Sequence, residues 1–221
     1  MTTLSAVYPP RQQRSQQTLD RILDATERLL LEREFDRLSI QEIVSASRTS
    51  VGSFYKRFRD KQALLSGLYD RYDAGLPDWV EAWRARQGEP PTDLVRAAAW
   101  VTRYLIDTFQ SRRHLLRALA LYVRNHPEEQ DARVKDRRAS QHRFLADALL
   151  DHRGEFTHAE PERAAQAAVF GAASICRERL LFSEGAHAST TGQSNAQLLQ
   201  DVTRMIVGLV KPVDTFDLSS I

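Results

Sequence analysis

Apolar residues recur every three or four positions along most of the chain, which is the spacing of helices with one apolar face. No stretch of any length alternates apolar and polar residues in the way that a half-buried strand does. The pattern therefore predicts an all-α protein. The stripe of the first helix consists of Leu19, Ile22, Leu23, Thr26, Leu29 and Leu30, and a polar arm precedes it.

Capping residues predict three shorter helices after the first. Ser39 and Glu42 form a capping box, Ser50 is a good N-cap for the next helix, and Asp60 caps another. The helices that begin at Ser39 and Ser50 would pack on the longer first helix, which is helix-turn-helix geometry. Their expected core residues are Ile40, Ile43, Val44, Phe54 and Phe58.

Breaks in the apolar pattern divide the remaining chain into longer helices. Gly75 and Pro77 are expected to kink or end the fourth helix. A second capping box, formed by Ser194 and Gln197, starts the last helix. The later helices are expected over roughly 92–111, 113–125, 128–152, 161–183 and 195–210.

Charge is balanced over the whole chain. The 221 residues include 31 Lys and Arg against 29 Asp and Glu, so a net charge of +2 would not by itself hold the protein on DNA or on a membrane. The single cysteine, Cys176, rules out an internal disulfide and suits a reducing compartment. Because the chain shows no apolar leader and no apolar run of membrane-spanning length, we expect a cytoplasmic protein.

The segment from Arg48 to Lys61 departs from this balance, since Asp60 alone opposes its cations. Gly52 and Ser53, in the first turn of the second short helix, let the backbone approach a partner closely. A basic helix-turn-helix suits a DNA backbone, but charged runs on helices are also typical of solvated faces. The residues alone leave both interpretations open. The cations of the segment are Arg48, Lys56, Arg57, Arg59 and Lys61.

These residues resemble the N-terminal domain of the TetR family of bacterial transcriptional regulators. That family has a Thr/Ser-Ile pair, a helix and a turn, followed by Gly-x-x-Tyr-x-x-Phe-x-x-Lys-x-x-Leu. The matching positions here are Ser39, Ile40, Ile43, Val44, Ser50, Gly52, Tyr55, Phe58, Lys61 and Leu64. The resemblance implies a helix-turn-helix DNA-binding domain with its arm over 1–60 and a larger helical ligand-binding and dimerisation domain over 61–221.

The chain departs from the family pattern at two places. Ser47, Arg48 and Thr49 stand where the family usually has Ala-Gly-Val, and Glu34 stands where a glycine usually follows the first helix. Arg48 adds a cation at the turn. We assign Arg48 to the DNA surface. The alternative is that it is a feature peculiar to this chain and makes no phosphate contact.

The resemblance also implies a role for each matched position. Tyr55 would give its hydroxyl to a DNA phosphate, and Lys61 would clamp another. Ser39 and Ser50 would donate to phosphates from helix starts, and Arg14 would reach the backbone or minor groove from the arm. The residues implied to face bases are Val51, Gly52, Ser53, Lys56 and Arg57.

Two helices near the C-terminus are candidates for a dimer interface. The first is rich in alanine and glycine, which lets helix axes approach closely, and the last has a continuous apolar face. A homodimer is favoured over burial within one domain because a single short recognition helix reads too few base pairs to select a genomic site. The predicted interface residues are Ala168, Gly171, Ala172, Leu198, Val202, Met205 and Leu209.

Aromatic residues concentrate in the middle helices. The resemblance implies a small-molecule pocket there, so we expect a small apolar or aromatic effector. Aromatic residues at helical spacing are also typical of an ordinary core. The candidate ligand-binding residues are Trp83, Trp100, Tyr104, Tyr122 and Phe144.

Catalysis has little support in the chain. Its six histidines lack the paired spacing of a metal site, and neither a Gly-x-Ser-x-Gly turn nor a phosphate loop is present. We therefore expect no enzyme, no metal and no cofactor. The favoured hypothesis is a homodimeric DNA-binding repressor that a small molecule releases from a near-palindromic operator. The alternatives are an all-helical module that docks an acidic protein partner through its basic surface, and a helical enzyme that modifies small molecules.

Overall fold

The computed structural model describes residues 10–88, 91–125, 132–182 and 194–212, with the side chains of residues 10–14, 132–135 and 137–138 outside that description. All regular secondary structure in these ranges is helical, which confirms the all-α prediction. The α-helices are α1 (Pro10–Leu30), α2 (Ile40–Ala46), α3 (Val51–Tyr55), α4 (Ala63–Ala74), α5 (Leu76–Gln87), α6 (Leu94–Ser111), α7 (Arg113–Asn125), α8 (Ala132–Leu150), α9 (Pro161–Leu181) and α10 (Asn195–Val210).

The first helix begins earlier than its apolar stripe predicts. Residues from Pro10 onward are helical, so the expected polar arm around Arg14 is instead the first part of α1. Proline suits the first helical position, and the Gln and Arg residues that follow have high helix propensity. Apolar periodicity could not detect this part because it contains no apolar residue between Pro10 and Leu19.

The later helix boundaries agree closely with those expected. The helices predicted over 113–125 and 195–210 have those bounds, and Ser194 and Gln197 form the expected capping box. The break at Gly75 is confirmed, because α4 ends at Ala74 and α5 begins at Leu76. Local capping and breaking residues therefore determine these boundaries.

The N-terminal helices pack on α1 through the residues that the apolar pattern predicts. Ile22, Ile43 and Leu64, from α1, α2 and α4, are each fully buried. Helix α4 lies very close to α1, because a Cβ atom added at Gly67 would lie 3.3 Å from Leu23 Cδ2. This packing positions α3 and the turn that precedes it.

Helix α9 packs against α6, α8 and α10 in the C-terminal part. Its small residues form the contact layer, since Ala165, Ala168 and Ala172 are fully buried. Cys176 is also fully buried, and burial raises the pKa of its thiol to about 12. Because only the thiolate is a good nucleophile, this cysteine is chemically inert in the folded protein.

The chain divides into two compact units. One comprises Met1–Arg86 with Ala118–Tyr122, and the other comprises Gln87–Arg117 with Val123–Ile221. The division reflects which residues pack together and does not assign a function to either unit. The functional boundary between residues 60 and 61 that the sequence implies stays a prediction.

Candidate nucleic-acid interface

The turn between α2 and α3 is a complete Schellman motif. The Thr49 N–H donates to the Val44 carbonyl at 2.9 Å, and the Arg48 N–H donates to the Ser45 carbonyl at 3.1 Å. Arg48 has a φ of 51°, in the left-handed region, and among the residues that the structure describes it is the one non-glycine with a positive φ. The backbone shape that glycine usually gives such a turn is therefore kept with an arginine in its place.

Helix α3 begins at a capped residue and ends early. The Ser50 Oγ accepts from the Ser53 N–H at 3.1 Å, as an N-cap should. The helix ends at Tyr55, so Phe58 lies beyond it and not within it as expected, although its N–H still donates to the Phe54 carbonyl at 3.0 Å. Phe54 and Phe58 are both buried with ring centroids 5.2 Å apart, which confirms the predicted inner side.

The opposite side of α3 is open to solvent. Val51 is 40% exposed and Tyr55 is 53% exposed, and Lys56 follows them at the end of the helix, also exposed. A Cβ atom added at Gly52 would meet nothing closer than the Ser50 Oγ at 4.0 Å. Gly52 does not have a positive φ, so neither packing nor backbone conformation requires a glycine there. Its absent side chain leaves the backbone of α3 accessible to a partner.

Arg57 was expected on this open side, but its guanidinium is turned toward α1. Its Nε and a terminal nitrogen donate to the Ser15 carbonyl at 3.3 and 3.0 Å, and the other terminal nitrogen donates to the Ser53 carbonyl at 2.8 Å. The side chain therefore joins α3 to the part of α1 that precedes the apolar stripe. In this arrangement it does not face outward with Lys56, and its contact with a base stays a prediction.

Lys61 is also held within the chain. Its ammonium donates to the carbonyls of Phe35, Asp36 and Leu38 at 3.1, 3.0 and 2.9 Å, and it lies 5.0 Å from the centroid of the Phe35 ring. Phe35 and Asp36 belong to the 3-10 turn Phe35–Arg37 that precedes α2, and Leu38 is the C-cap of that turn. Three hydrogen bonds use all the hydrogens of the ammonium, so the predicted phosphate contact would require at least one of these bonds to break.

Ser39 was likewise predicted to contact a phosphate and also has a structural role, as the N-cap of α2. The capping box is confirmed, because the Glu42 N–H donates to the Ser39 Oγ at 3.2 Å and the Ser39 N–H donates to the Glu42 carboxylate at 2.9 Å. The Ser39 hydroxyl donates to the same carboxylate at 2.7 Å, and Arg33 pairs with it at 2.6 Å. The Ser39 hydroxyl and N–H and then Arg33 lower the pKa of Glu42 to about 2. Glu42 is therefore ionised, and the Ser39 hydroxyl is committed to it.

The remaining cation of the segment is paired with the segment's one acid. Arg59 donates to the Asp60 carboxylate at 2.9 Å. Asp60 also accepts from the Ala63 N–H at 2.8 Å, so it caps the turn that leads into α4, although the N-cap residue of α4 itself is Gln62 and not Asp60 as predicted. That backbone hydrogen bond, and then Arg59, hold the pKa of Asp60 below its usual value. Among the described residues, Arg48 and Lys56 are therefore the cations of this segment whose side chains are exposed and not held by an acid or a carbonyl.

A comparison with protein families identifies this arrangement. Residues 22–68, from the buried part of α1 to α4, match the family described as bacterial regulatory proteins, tetR family. Residues 22–68 are a TetR-family N-terminal domain. The resemblance that the sequence shows between Ser39 and Leu64 is thereby confirmed. The departures at Glu34 and Arg48 lie inside the matched range and do not prevent the match.

Solved TetR-family structures share the fold over most of the chain. One from Mesorhizobium loti is 18% identical with a TM-score of 0.57, and the match covers 89% of this chain and 96% of that one. The fatty acid degradation regulator FadR from Bacillus halodurans is 15% identical with a TM-score of 0.53, covering 86% and 97%. A TetR transcriptional regulator from Rhodococcus is 16% identical with a TM-score of 0.50, covering 92% and 100%. These identities show the fold alone, and no curated protein matches the chain.

Three of the predicted ligand residues form one aromatic cluster in the TetR-like fold. The Trp100 and Tyr104 rings stack with centroids 6.2 Å apart, and Phe144 meets both edge-on at 5.9 and 5.7 Å. Trp100 also lines a groove with a volume of about 380 Å³. The residues that line this groove are Gln87, Pro91, Thr92, Arg96, Ala99, Trp100 and Arg103.

The other two predicted ligand residues, Trp83 and Tyr122, belong to the first unit. Trp83 is 1% exposed and stacks on Trp79 with ring centroids 6.4 Å apart, so it is a core residue of the first unit. Tyr122 is half-buried and also belongs to that unit. Trp100 lines the groove, whereas Tyr104 and Phe144 pack against Trp100 and are not among the lining residues. The ligand role of the five candidates stays a prediction.

Four residues of the predicted dimer interface are instead core residues. Ala168, Ala172, Leu198 and Val202 are at most 3% exposed within the single chain. This corrects the prediction: these side chains bury against their own unit because the small residues of α9 bring its neighbours close. A partner cannot contact them without opening that unit.

The outward side of the same two helices is apolar. Leu209 is 41% exposed, and Phe170 and Ile175 are 63% and 42% exposed. Met205 of α10 lies beside Gly171 of α9, since a Cβ atom added at Gly171 would be 3.5 Å from the methionine methyl group. Ile175 lies one helical turn after Gly171, and Leu209 one turn after Met205, so these four residues form an apolar surface that is called the α9–α10 face below. The Phe170 ring lies outside this face, with its centroid 6.4 Å from that of His142 on α8.

The Arg14 side chain lies outside the described residues. None of the helices in the described part of the chain combines the length and the hydropathy that a membrane-spanning helix needs. The same residues contain no group of three or more His, Cys, Asp or Glu side chains placed to hold a metal ion.

Proposed function

We propose that this protein is a sequence-specific DNA-binding transcriptional regulator and that it acts as a homodimeric repressor. The observation that carries the proposal is the open side of α3 inside a TetR-family domain. Val51, Gly52, Tyr55 and Lys56 present a small, partly apolar and cationic surface, while Phe54 holds the helix from behind. A helix with such a surface fits the major groove, where side chains read base edges and flanking cations meet phosphates.

The α9–α10 face supports the dimeric part of the proposal. Exposed Ile175 and Leu209 belong to an apolar surface on packed helices, which favours burial against a second copy. Two copies present two recognition helices, and their spacing selects a near-palindromic site. A single five-residue α3 would contact too few base pairs to distinguish one genomic site from another.

The aromatic cluster supports a small-molecule effector. The groove is lined by the indole of Trp100, which stacks on Tyr104, and also by Arg96 and Arg103. A small apolar or aromatic compound would gain stacking and burial there. Such a compound releases DNA if it binds more tightly to a state in which the two recognition helices have the wrong spacing.

The proposal is tested by selecting DNA fragments that the protein binds from the source genome and measuring their affinity across salt concentrations. We expect a preferred sequence with two related half-sites. Replacing Tyr55 and Lys56 together by alanine should weaken binding at least about tenfold. It should also reduce the magnitude of the salt slope, which is the slope of log affinity against log salt concentration, by about 1. The control Arg204→Ala, whose side chain is 78% exposed on α10, should leave both unchanged.

Binding without sequence preference at any salt concentration would contradict the proposal. It would support the alternative of a helical module that docks an acidic protein partner through its basic surface. Small-molecule turnover that survives deletion of residues 1–60 would support an enzyme instead.

A further inference from the structure

Arg48 occupies a backbone conformation that residues with a Cβ atom disfavour. Its φ of 51° places it in the left-handed region, where the Cβ atom approaches the following carbonyl. The other positive φ in the described part of the chain belongs to a glycine, Gly88. Such a conformation indicates a function only if two conditions hold. The surrounding structure must impose the conformation, and the side chain must make an interaction that a glycine could not make.

The turn imposes the conformation. The two hydrogen bonds from Thr49 to Val44 and from Arg48 to Ser45 close the end of α2, and they require a left-handed residue between them. Glycine satisfies this requirement without strain, and asparagine satisfies it with little. An arginine therefore contributes nothing to the turn that these residues would not supply better.

The Arg48 side chain makes no hydrogen bond or ion pair within the described part of the chain, and the residue is exposed. Its neighbours differ in this respect, because Arg57 and Lys61 donate to carbonyls and Arg59 pairs with an acid. Arg48 also lies two positions before Ser50, the N-cap of α3, so its charge stands at the leading end of that helix.

We propose that Arg48 binds a phosphate of the DNA backbone beside the groove that α3 enters, at the expense of the stability of the turn. This inference rests on the proposed DNA-binding function. A phosphate and not a base is the partner because Arg48 precedes α3 and lies outside its exposed side, where base contacts are made. The guanidinium can donate two parallel hydrogen bonds to phosphate oxygens.

Three substitutions at this position test the proposal on the full chain. Arg48→Gly removes the charge and the strain, Arg48→Asn removes the charge and tolerates the left-handed conformation, and Arg48→Lys retains the charge. The probes are a genomic fragment selected by the wild-type protein and a shuffled duplex of the same length. Binding is measured from low to high salt, and stability is measured by urea unfolding.

Arg48→Gly should raise the urea midpoint while weakening binding about three- to tenfold, equally on both duplexes. The slope of log affinity against log salt should fall by about 0.9, the value for one phosphate contact. Arg48→Asn should show the same loss of affinity and slope, and Arg48→Lys should retain most of both. Unchanged affinity and slope in Arg48→Gly and Arg48→Asn would overturn the phosphate contact, as would a loss confined to the selected fragment. If the wild-type protein binds neither duplex, the proposed function itself fails.

Discussion

The ammonium of Lys61 donates to the carbonyl oxygen of Leu38 at 2.9 Å, although the two residues lie 23 positions apart in the sequence. The same ammonium donates to the carbonyls of Phe35 and Asp36, so one side chain from the turn before α4 binds the 3-10 turn that leads into α2. Lys61 thereby connects the turn between α3 and α4 to the segment before α2. Its position in the TetR motif has a structural reason that does not involve DNA.

Replacing Lys61 by methionine should lower the free energy of unfolding by about 1–3 kcal/mol, because three carbonyls lose a charged donor. The salt slope of DNA binding should stay unchanged. The matched control Lys56→Met should change stability by no more than about 0.5 kcal/mol, because Lys56 is exposed, but should lower the salt slope by about 1.

Urea unfolding and salt-titrated mobility shifts on both variants separate the two roles. If Lys61→Met lowers the salt slope and leaves stability unchanged, the ammonium leaves the carbonyls for a phosphate. The clamp that the family resemblance implies would then be right, and the structural role would be wrong.

Replacing Gly52 by alanine should stabilise the protein and weaken DNA binding. The new methyl group meets open space, and alanine favours a helix over glycine by about 0.5–1 kcal/mol. The same methyl group stands between the backbone of α3 and the groove, so affinity should fall about tenfold. Gly154→Ala is the control, because it also adds a methyl group in open space but lies in the second unit. An unchanged affinity in Gly52→Ala would show that DNA does not approach this backbone closely.

Two substitutions on α10 separate its outer side from its inner side. Leu209→Asp should convert a dimer to a monomer in sedimentation experiments while the helical circular dichroism signal stays unchanged, because Leu209 is 41% exposed. Val202→Asp should instead destabilise the fold by more than about 4 kcal/mol, since it buries a carboxylate at a position that is 1% exposed. A dimeric Leu209→Asp protein would exclude the α9–α10 face as the interface.

The capping box at Ser39 predicts a dependence of stability on pH. The pKa of Glu42 is lowered from 4.5 to about 2, first by its hydrogen bonds to Ser39 and then by Arg33. A depressed folded-state pKa means that the stabilisation is present above about pH 4.5 and is lost as the pH falls toward 2.

Urea unfolding of wild type and Glu42→Gln should therefore show a difference in stability that is largest above pH 5 and closes near pH 2. Since the carboxylate is partly exposed, added salt should reduce the difference. A difference that is constant over this pH range would mean that the ionised carboxylate does not support the capping box.

The sequence by itself determined the helices and most of their ends. Apolar spacing and the cap residues Ser39, Ser50 and Ser194 place boundaries correctly because helix formation and capping are interactions between residues a few positions apart. The order of Gly52, Tyr55, Phe58 and Lys61 identified the TetR-family domain for the same reason, since their spacing reflects one local turn and helix. The start of α1 was missed because its first residues form a helix without an apolar stripe.

Only the tertiary structure decided what the individual side chains do. Arg57 and Lys61 are cationic residues in a DNA-binding motif, yet their hydrogen bonds go to Ser15 and Leu38, which are distant in sequence. The same holds for Ala168 and Val202, whose apolar character suited an interface as well as a core. Sequence spacing shows which face of a helix a residue occupies. It does not show what lies opposite that face, because the packing of elements far apart in the chain determines which donors, acceptors and apolar surfaces meet.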